Sequence, residues 1–297
     1  MRLGVGLDAR CDDPEEIARA YVAAGYSAAI CPKLSLDQPE RLRAVRDAFA
    51  RHDVMLAEVG VWNNMMDPDL GRRAANLEAN VQAMALADEV GARCCVNIAG
   101  SFNPTKWDGP HPSDLSEEAF ELTVQNVRHI IDAVKPRVAY YTLETMPWAI
   151  PDSADSYLRI IEAVDRPMFG VHLDPVNLIN SPARYFHNAD VLRECFAKLG
   201  RWIVSCHAKD IIMHDRLTVH LDEARPGLGG LDYGVYLREL SRLPGDVPLI
   251  LEHLPQGDYV AAREYVAGVA AQVGLAFHMP QESTLDSQNR IKEGKAQ

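Results

Sequence analysis

Four residues able to bind a cation stand at the ends of four consecutive apolar runs in the second half of the chain. They are Glu144 in Leu143-Glu144-Thr145, Asp174 in His172-Leu173-Asp174, His207 in Ser205-Cys206-His207-Ala208-Lys209-Asp210 and Glu252 in Leu251-Glu252-His253. Three carboxylates and an imidazole gathered in one place repel one another or shift their pKa values unless a cation lies between them. A divalent ion with oxygen-rich ligands and open positions resolves that conflict, and this donor mixture suits Mn²⁺, Mg²⁺ or Co²⁺ better than structural Zn²⁺. Any one of the four alone would read as a loop acid or a hydrogen-bonded histidine. Their common placement argues for a site.

Other residues with usable chemistry lie close by in sequence. Lys209 follows His207 by two and points the same way on an extended segment, either to orient a substrate oxygen or to pair with an acid. His172 lies two residues before Asp174 and one layer deeper, as a substrate contact or a satisfied core histidine. Asn177 offers hydrogen bonds to a hydroxyl or carbonyl. Arg225 could clamp a hydroxyl or phosphate. Glu58 and Trp62 could wall a sugar, and Trp107 and Trp148 are further aromatic faces or plain packing.

These residues need elements that aim them at one rim. Short β-branched runs at residues 3–7, 27–31, 54–61, 94–99, 138–143, 168–173, 202–206 and 248–251 alternate with segments of helical period. Helices are predicted at 39–50, 72–90, 117–134, 153–164, 190–199, 233–243 and 258–273, with a first one opened by Asp13-Pro14-Glu15-Glu16 and stopped at Gly25. Eight strand-then-helix units predict an α/β fold, a single (β/α)₈ barrel over residues 1–280 with a polar tail over 281–297. The rival open sheet lacks its phosphate loop, since Gly4-Val5-Gly6 has no third glycine. Alternation puts 140, 142 and 144 on one face, likewise 170, 172 and 174, then 203, 205 and 207, then 250 and 252. Val171, Leu173, Val204, Cys206, Leu249 and Leu251 are left to meet the helices.

Composition narrows the partners. Hydrophobic residues make up 47% and charged residues 24% of 297, ordinary for a globular chain with a full core. Thirty Lys and Arg against 42 Asp and Glu give a net charge of -12, which disfavours nucleic acid as a partner. Six scattered cysteines with no CxxC pair suit a reducing compartment. With no signal-peptide pattern and no long apolar span, no membrane partner is expected and the predicted location is the cytoplasm.

On Leu143-Glu144-Thr145, His172-Leu173-Asp174, His207-Ala208-Lys209-Asp210, Leu251-Glu252 and the loop Arg225-Pro226-Gly227-Leu228-Gly229-Gly230-Leu231-Asp232-Tyr233, the sequence resembles the xylose isomerase-like barrels. These include ketose 3-epimerases, inosose dehydratases and endonuclease IV. The resemblance covers about residues 1 to 275. It implies one divalent metal, Mn²⁺ first and Mg²⁺, Co²⁺ or Zn²⁺ as alternatives, held by Glu144, Asp174, His207 and Glu252, with Glu144 and Glu252 as the acid/base pair. It further implies a sugar or polyol substrate and a homo-oligomer, dimer or tetramer. The expected reaction is isomerisation or epimerisation through an enediolate that the metal stabilises. The alternative is a lyase or dehydratase acting on a keto-sugar, keto-inositol or keto-glycoside at the same site. Asn177 stands where ketose epimerases and endonuclease IV carry histidine, and Leu228 where the PG-x-G loop usually has a polar residue. The extra zinc-binding histidines of endonuclease IV are missing after strands three and four, which end in Glu58-Val59-Gly60 and Ala99-Gly100-Ser101. A nuclease is therefore the disfavoured reading.

Overall fold

Each apolar run that can be buried on both faces becomes a strand, and each 3.6-period segment lays its apolar stripe over the strands. The computed structural model describes residues 1–8 and 11–280, so the tail expected over 281–297 lies outside the described residues. In chain order come β1 (Arg2–Val5), α1 (Pro14–Ala23), β2 (Ala28–Ile30), α2 (Pro39–Arg51), β3 (Met55–Gly60), α3 (Leu70–Val90), β4 (Cys94–Asn97) and α4 (Glu117–Val134). They are followed by β5 (Tyr140–Glu144), α5 (Ala154–Val164), β6 (Phe169–Leu173), α6 (Pro182–Phe186), α7 (Asn188–Leu199) and β7 (Ile203–Ala208). The chain closes with β8 (Asp210–His214), β9 (His220–Ala224), α8 (Tyr233–Ser241), β10 (Pro248–Leu251) and α9 (Tyr259–Gln272).

Eight strands pair in parallel around a closed barrel in the order β1-β10-β7-β6-β5-β4-β3-β2, so the fold is a single (β/α)₈ barrel. Closure is made by β1 against β10, with Val5 opposite Leu251. A continuous apolar layer, including Val171, Leu173, Cys206, Leu249 and Leu251, fills the space between barrel and helices. Inside the barrel, Ala28, Ala57 and Ile250 form a small separate cluster. Gly4 makes room for it, because a Cβ there would lie 2.5 Å from Ile250 Cδ1 and 2.7 Å from Ala28 Cβ. Side-chain caps start several helices, with Asp13 accepting from Glu15 N, Ser116 from Ala119 N and Asp232 from Val235 N.

The structure departs from expectation in four places. The segment after β7, expected to be a plain loop, carries the antiparallel hairpin β8–β9, with Asp210 opposite Ala224 and His214 opposite His220. The eighth barrel strand is therefore β10. The fifth strand starts at Tyr140 rather than 138, because Asp88 Oδ1 accepts the backbone N–H groups of Arg137, Val138 and Ala139 before any neighbouring strand can. Val204, expected against the helices, sits beside Gly170 instead: its methyls lie 3.0 and 3.1 Å from where a Gly170 Cβ would be. Ile203, expected inward, joins the outer layer. A bulge explains both, since the β6–β7 register steps from Val171 opposite Ile203 to His172 opposite Ser205. All six cysteines are free thiols. Among the described residues, no helix is long and apolar enough to cross a membrane.

Candidate metal centre

The ends of β5, β6, β7 and β10 deliver Glu144, Asp174, His207 and Glu252 to one spot, with a potential ligand atom from each within 4.8 Å of the others. Local bonds fix each strand end. Thr145 Oγ1 donates to Asp174 O at 2.7 Å and accepts from Asp174 N at 3.1 Å, tying β5 to β6. Val176 N donates to Asp174 Oδ1 at 3.0 Å, leaving Oδ2 for the centre. From α8, Tyr236 OH donates to His207 O and Tyr233 OH to Lys209 O, each at 2.8 Å, so two buried tyrosines hold both ends of His207-Ala208-Lys209.

Within the cluster, His207 Nδ1 lies 2.8 Å from Glu252 Oε1, 3.1 Å from Glu144 Oε1 and 3.8 Å from Asp174 Oδ2. The Lys209 ammonium reaches Asp174 Oδ2 at 2.8 Å and Glu144 Oε1 at 3.6 Å, contacts Glu252 Oε1 closely and stands 3.5 Å from Glu223 Oε2. Burial pushes all three acids up. At Glu252 the opposing charges of His207 and Lys209 win and bring its carboxyl down to about 2. At Asp174 the same neighbours, Lys209 foremost, hold it far below the carboxylate range. At Glu144 burial prevails over His207 and Lys209, and its carboxyl is raised. Burial alone would lower His207, but Glu252 and Glu144 carry it well above the usual histidine range.

The residues fit a divalent cation. Asp174 Oδ2 and Glu252 Oε1 are buried at the centre with no partner in hydrogen-bond geometry, though the Lys209 ammonium stands against both. Lys209 already places a positive charge among them. With three ionised carboxylates, Lys209 charged and His207 neutral, as a metal ligand must be, the cluster lacks two positive charges, the amount a divalent ion supplies.

Above this floor opens a cavity of about 500 Å³, lined by Glu144, Asn177, Lys209, Glu252, Trp62, Trp107 and Trp148 among others. Trp148 Nε1 donates to Asp108 O at 2.9 Å, stitching the loop after β5 to the loop after β4. Of the residues expected to touch substrate, Asn177, Lys209 and Trp62 line the cavity; Glu58, His172 and Arg225 do not. Glu58 lies within β3, beside the step in the β2–β3 register, and points into the barrel beneath the floor, where its Oε2 meets His172 Nε2 at 3.0 Å. His172 is fully buried at the same depth. Arg225 folds back to donate to Pro226 O at 3.2 Å. Asn177 donates to Glu144 Oε1 at 3.2 Å and to Thr145 O at 3.0 Å, so it braces the glutamate as well as facing the cavity. Glu223, on β9, also lines the cavity and pairs with His253 Nδ1 at 3.2 Å. It escaped the sequence reading because the hairpin did. The weak alternation of Leu221, Glu223 and their neighbours was its one signal.

Fold and floor together define a (β/α)₈ barrel carrying a carboxylate-rich cluster of metal-ligand type at the C-terminal ends of its strands. Residues 18–269 match the family model of the xylose isomerase-like TIM barrel, and the chain belongs to that family. No curated protein matches the sequence significantly. Among solved structures, it is similar to endonuclease IV from Thermus thermophilus, at TM-score 0.68 and 13% identity, covering 92% of this chain and 100% of that one. A xylose isomerase-like TIM barrel protein from Mycobacterium smegmatis in complex with magnesium aligns at TM-score 0.65 and 16% identity, covering 92% and 97%. D-psicose 3-epimerase with D-tagatose from Clostridium cellulolyticum aligns at TM-score 0.63 and 11% identity, covering 94% and 100%.

Proposed function

We propose that this chain is a divalent-metal-dependent isomerase or epimerase that moves a proton next to the carbonyl of a sugar or polyol. The observation that carries the reading is the pairing of Glu144 and Glu252 across a cluster with Asp174 and His207, at the floor of an open cavity. Glu144, Asp174, His207 and Glu252 would hold the ion, with Mn²⁺ the proposed resident and Mg²⁺, Co²⁺ or Zn²⁺ able to replace it. When bound, the ion supplies Lewis acidity, polarising a carbonyl and the adjacent hydroxyl. Glu144 and Glu252, on strands on either side of the cluster, can each reach one face of the substrate carbon. One takes its proton and the other returns it. Asn177 and Lys209 orient substrate oxygens, and Trp62 offers a face for a C–H-rich sugar surface.

A second reading, a lyase or dehydratase on a keto-sugar, keto-inositol or keto-glycoside, is favoured by one observation: the Lys209 ammonium stands inside the acid cluster, where it could attend a departing oxygen. The small, acidic cavity supports a small molecule rather than nucleic acid. Three metal ions per purified chain instead of one would support the nuclease reading of this family. Cytoplasmic location and a dimer or tetramer complete the proposal, the latter tested by sedimentation at micromolar concentration.

The experiment is turnover of a panel of ketoses and keto-glycosides with Mn²⁺. Activity should vanish with chelator and return with Mn²⁺, Co²⁺ or Mg²⁺. Glu144→Gln and Glu252→Gln should each lose at least ~10²-fold in turnover, the scale of general acid–base catalysis, while each still binds the ion. Near wild-type turnover in either variant with metal bound would leave that glutamate a ligand only, and the lyase reading would take precedence.

A further inference from the structure

Beneath the cluster lies a second set of polar groups that the cavity does not reach. Glu58 comes from β3 and His172 from β6, and they are 2% and 0% exposed. Glu58 Oε2 stands 3.0 Å from His172 Nε2 and 3.6 Å from His207 Nε2. The two imidazoles meet edge to face with centroids 4.2 Å apart. Glu58, His172 and His207 also lie close enough to share an ion. However, His207 already directs Nδ1 at three acids of the floor.

His207 thus faces carboxylates with both ring nitrogens. An imidazole that binds a metal must present a bare nitrogen, and its other nitrogen then carries the hydrogen. An ionised carboxylate only accepts. With Glu58 on the Nε2 side, hydrogen belongs on Nε2 and the lone pair on Nδ1. Glu58 Oε2 is itself held by His172 Nε2, and Oε1 has no hydrogen-bond partner among the described residues.

We propose that Glu58 is a positioning residue that fixes His207 as the Nε2–H tautomer and aims Nδ1 at the cation, with His172 holding Glu58 in register. The inference rests on the metal reading above. It explains why a carboxylate and a second histidine occupy a barrel interior that also holds the apolar cluster of Ala28, Ala57 and Ile250.

The test uses the full-length chain stripped of metal and titrated with Co²⁺ alone, by calorimetry and by the ion's visible bands. Wild-type protein that binds no Co²⁺, Mn²⁺ or Mg²⁺ would remove the metal reading itself, whatever Glu58 does. Given wild-type binding, Glu58→Gln keeps the volume but brings an amide that can donate to Nε2 and admit the other tautomer. Co²⁺ affinity should fall ~10- to 100-fold, as for other outer supports of metal ligands, with shifted visible bands. In protein loaded with diamagnetic Mg²⁺ or Zn²⁺, nitrogen NMR of the histidine rings should show hydrogen on His207 Nε2 in the wild type and partly on Nδ1 in the variant. If that variant does not fold, His172→Gln, which loosens Glu58 without removing it, should shift the same two readouts to a smaller extent. Unchanged affinity, or lowered affinity with the His207 tautomer unchanged, would overturn the proposal.

Discussion

Lys209 is the residue whose surroundings ask most of it. Its ammonium is 2% exposed and stands among Asp174, Glu144 and Glu252, with Glu223 just behind. Removing one partner from a buried ion cluster leaves uncompensated charge, which costs about 3–5 kcal/mol. Lys209→Met should therefore destabilise the metal-free protein by roughly that amount. Added Mn²⁺ should restore more of the melting temperature in the variant than in the wild type, because the ion then replaces the missing charge. Scanning calorimetry with and without metal reads this directly, and a metal-free variant as stable as the wild type would refute it. At this scale the sequence was a good guide wherever the argument was local. The spacing of His207 and Lys209, or of His172 and Asp174, gives their common face from alternation alone. What it concealed was depth and distant contact. Glu58 meets His172 across 114 positions, a contact that no window of neighbouring residues can reveal. The run at 54–61 already contained Glu58, but alternation within it could not show the step in the β2–β3 register, from Ala29 opposite Leu56 to Ile30 opposite Glu58.

Elements are held in place by a few carboxylates that collect backbone N–H groups. Asp88, at the end of α3, takes three from the entry to β5. Partial burial alone would raise its carboxyl, but the N–H groups of Val138, Ala139 and Arg137 outweigh that and lower it. A carboxyl depressed by folding adds stability that is fully present above its unfolded pKa, near 3.9, and is lost as the pH falls through the folded value. Asp88→Ala should cost about 1–3 kcal/mol at neutral pH for the donors left unpaired. Its deficit relative to the wild type should shrink only below about pH 4, as urea titrations at pH 7 and in acid would show. Asp210 does the same for the loop after β9: Oδ2 accepts from Gly227 N at 2.9 Å and Gly229 N at 3.0 Å, and Oδ1 from Ile211 N and Leu231 N at 2.9 Å each. Gly229 must be glycine, since a Cβ would sit 2.3 Å from Ile211 O and 2.4 Å from Asp210 Oδ1. Gly229→Ala should speed amide exchange in residues 225–231 and leave β5 and β6 protected. Exchange unchanged in that loop would contradict the packing argument. Barrel strands were legible because they are buried on both faces and read as apolar runs. The β8–β9 hairpin was not, since it lies outside the barrel, partly exposed, and mixes His, Asp and Glu with its apolar residues. The bulge at Val204 leaves no mark in a run of β-branched residues.

For the whole molecule, ring closure joins the chain's start to its end. Arg2 pairs with Asp246 beside β10 and with Asp53 beside β3, and the N-terminal amine also reaches Asp246. The candidate ligands come from four of the eight staves of that ring, so an ion bound to all four should stabilise the entire barrel. At a hundred times its Kd an ion specific for the folded state adds ~2.7 kcal/mol, a rise of several degrees in melting temperature that chelator should abolish. No shift with any divalent ion would argue against a four-stranded centre. The stitch between Trp148 and Asp108 O has a different consequence. Acids and imidazole belong to β5, β6, β7 and β10, whereas Ile30, Trp62, Ile98 and Trp107 reach the same cavity from β2, β3 and β4 or the loops that follow them. The first half of the chain therefore supplies much of the cavity's wall, and the second half the candidate ligands, with the Trp148 indole bond crossing between them at the rim. Such a division lets heredity revise the upper wall without rewriting the floor: a lineage could exchange its aromatic faces, and with them its preferred guest, while the chemistry below passes on unaltered.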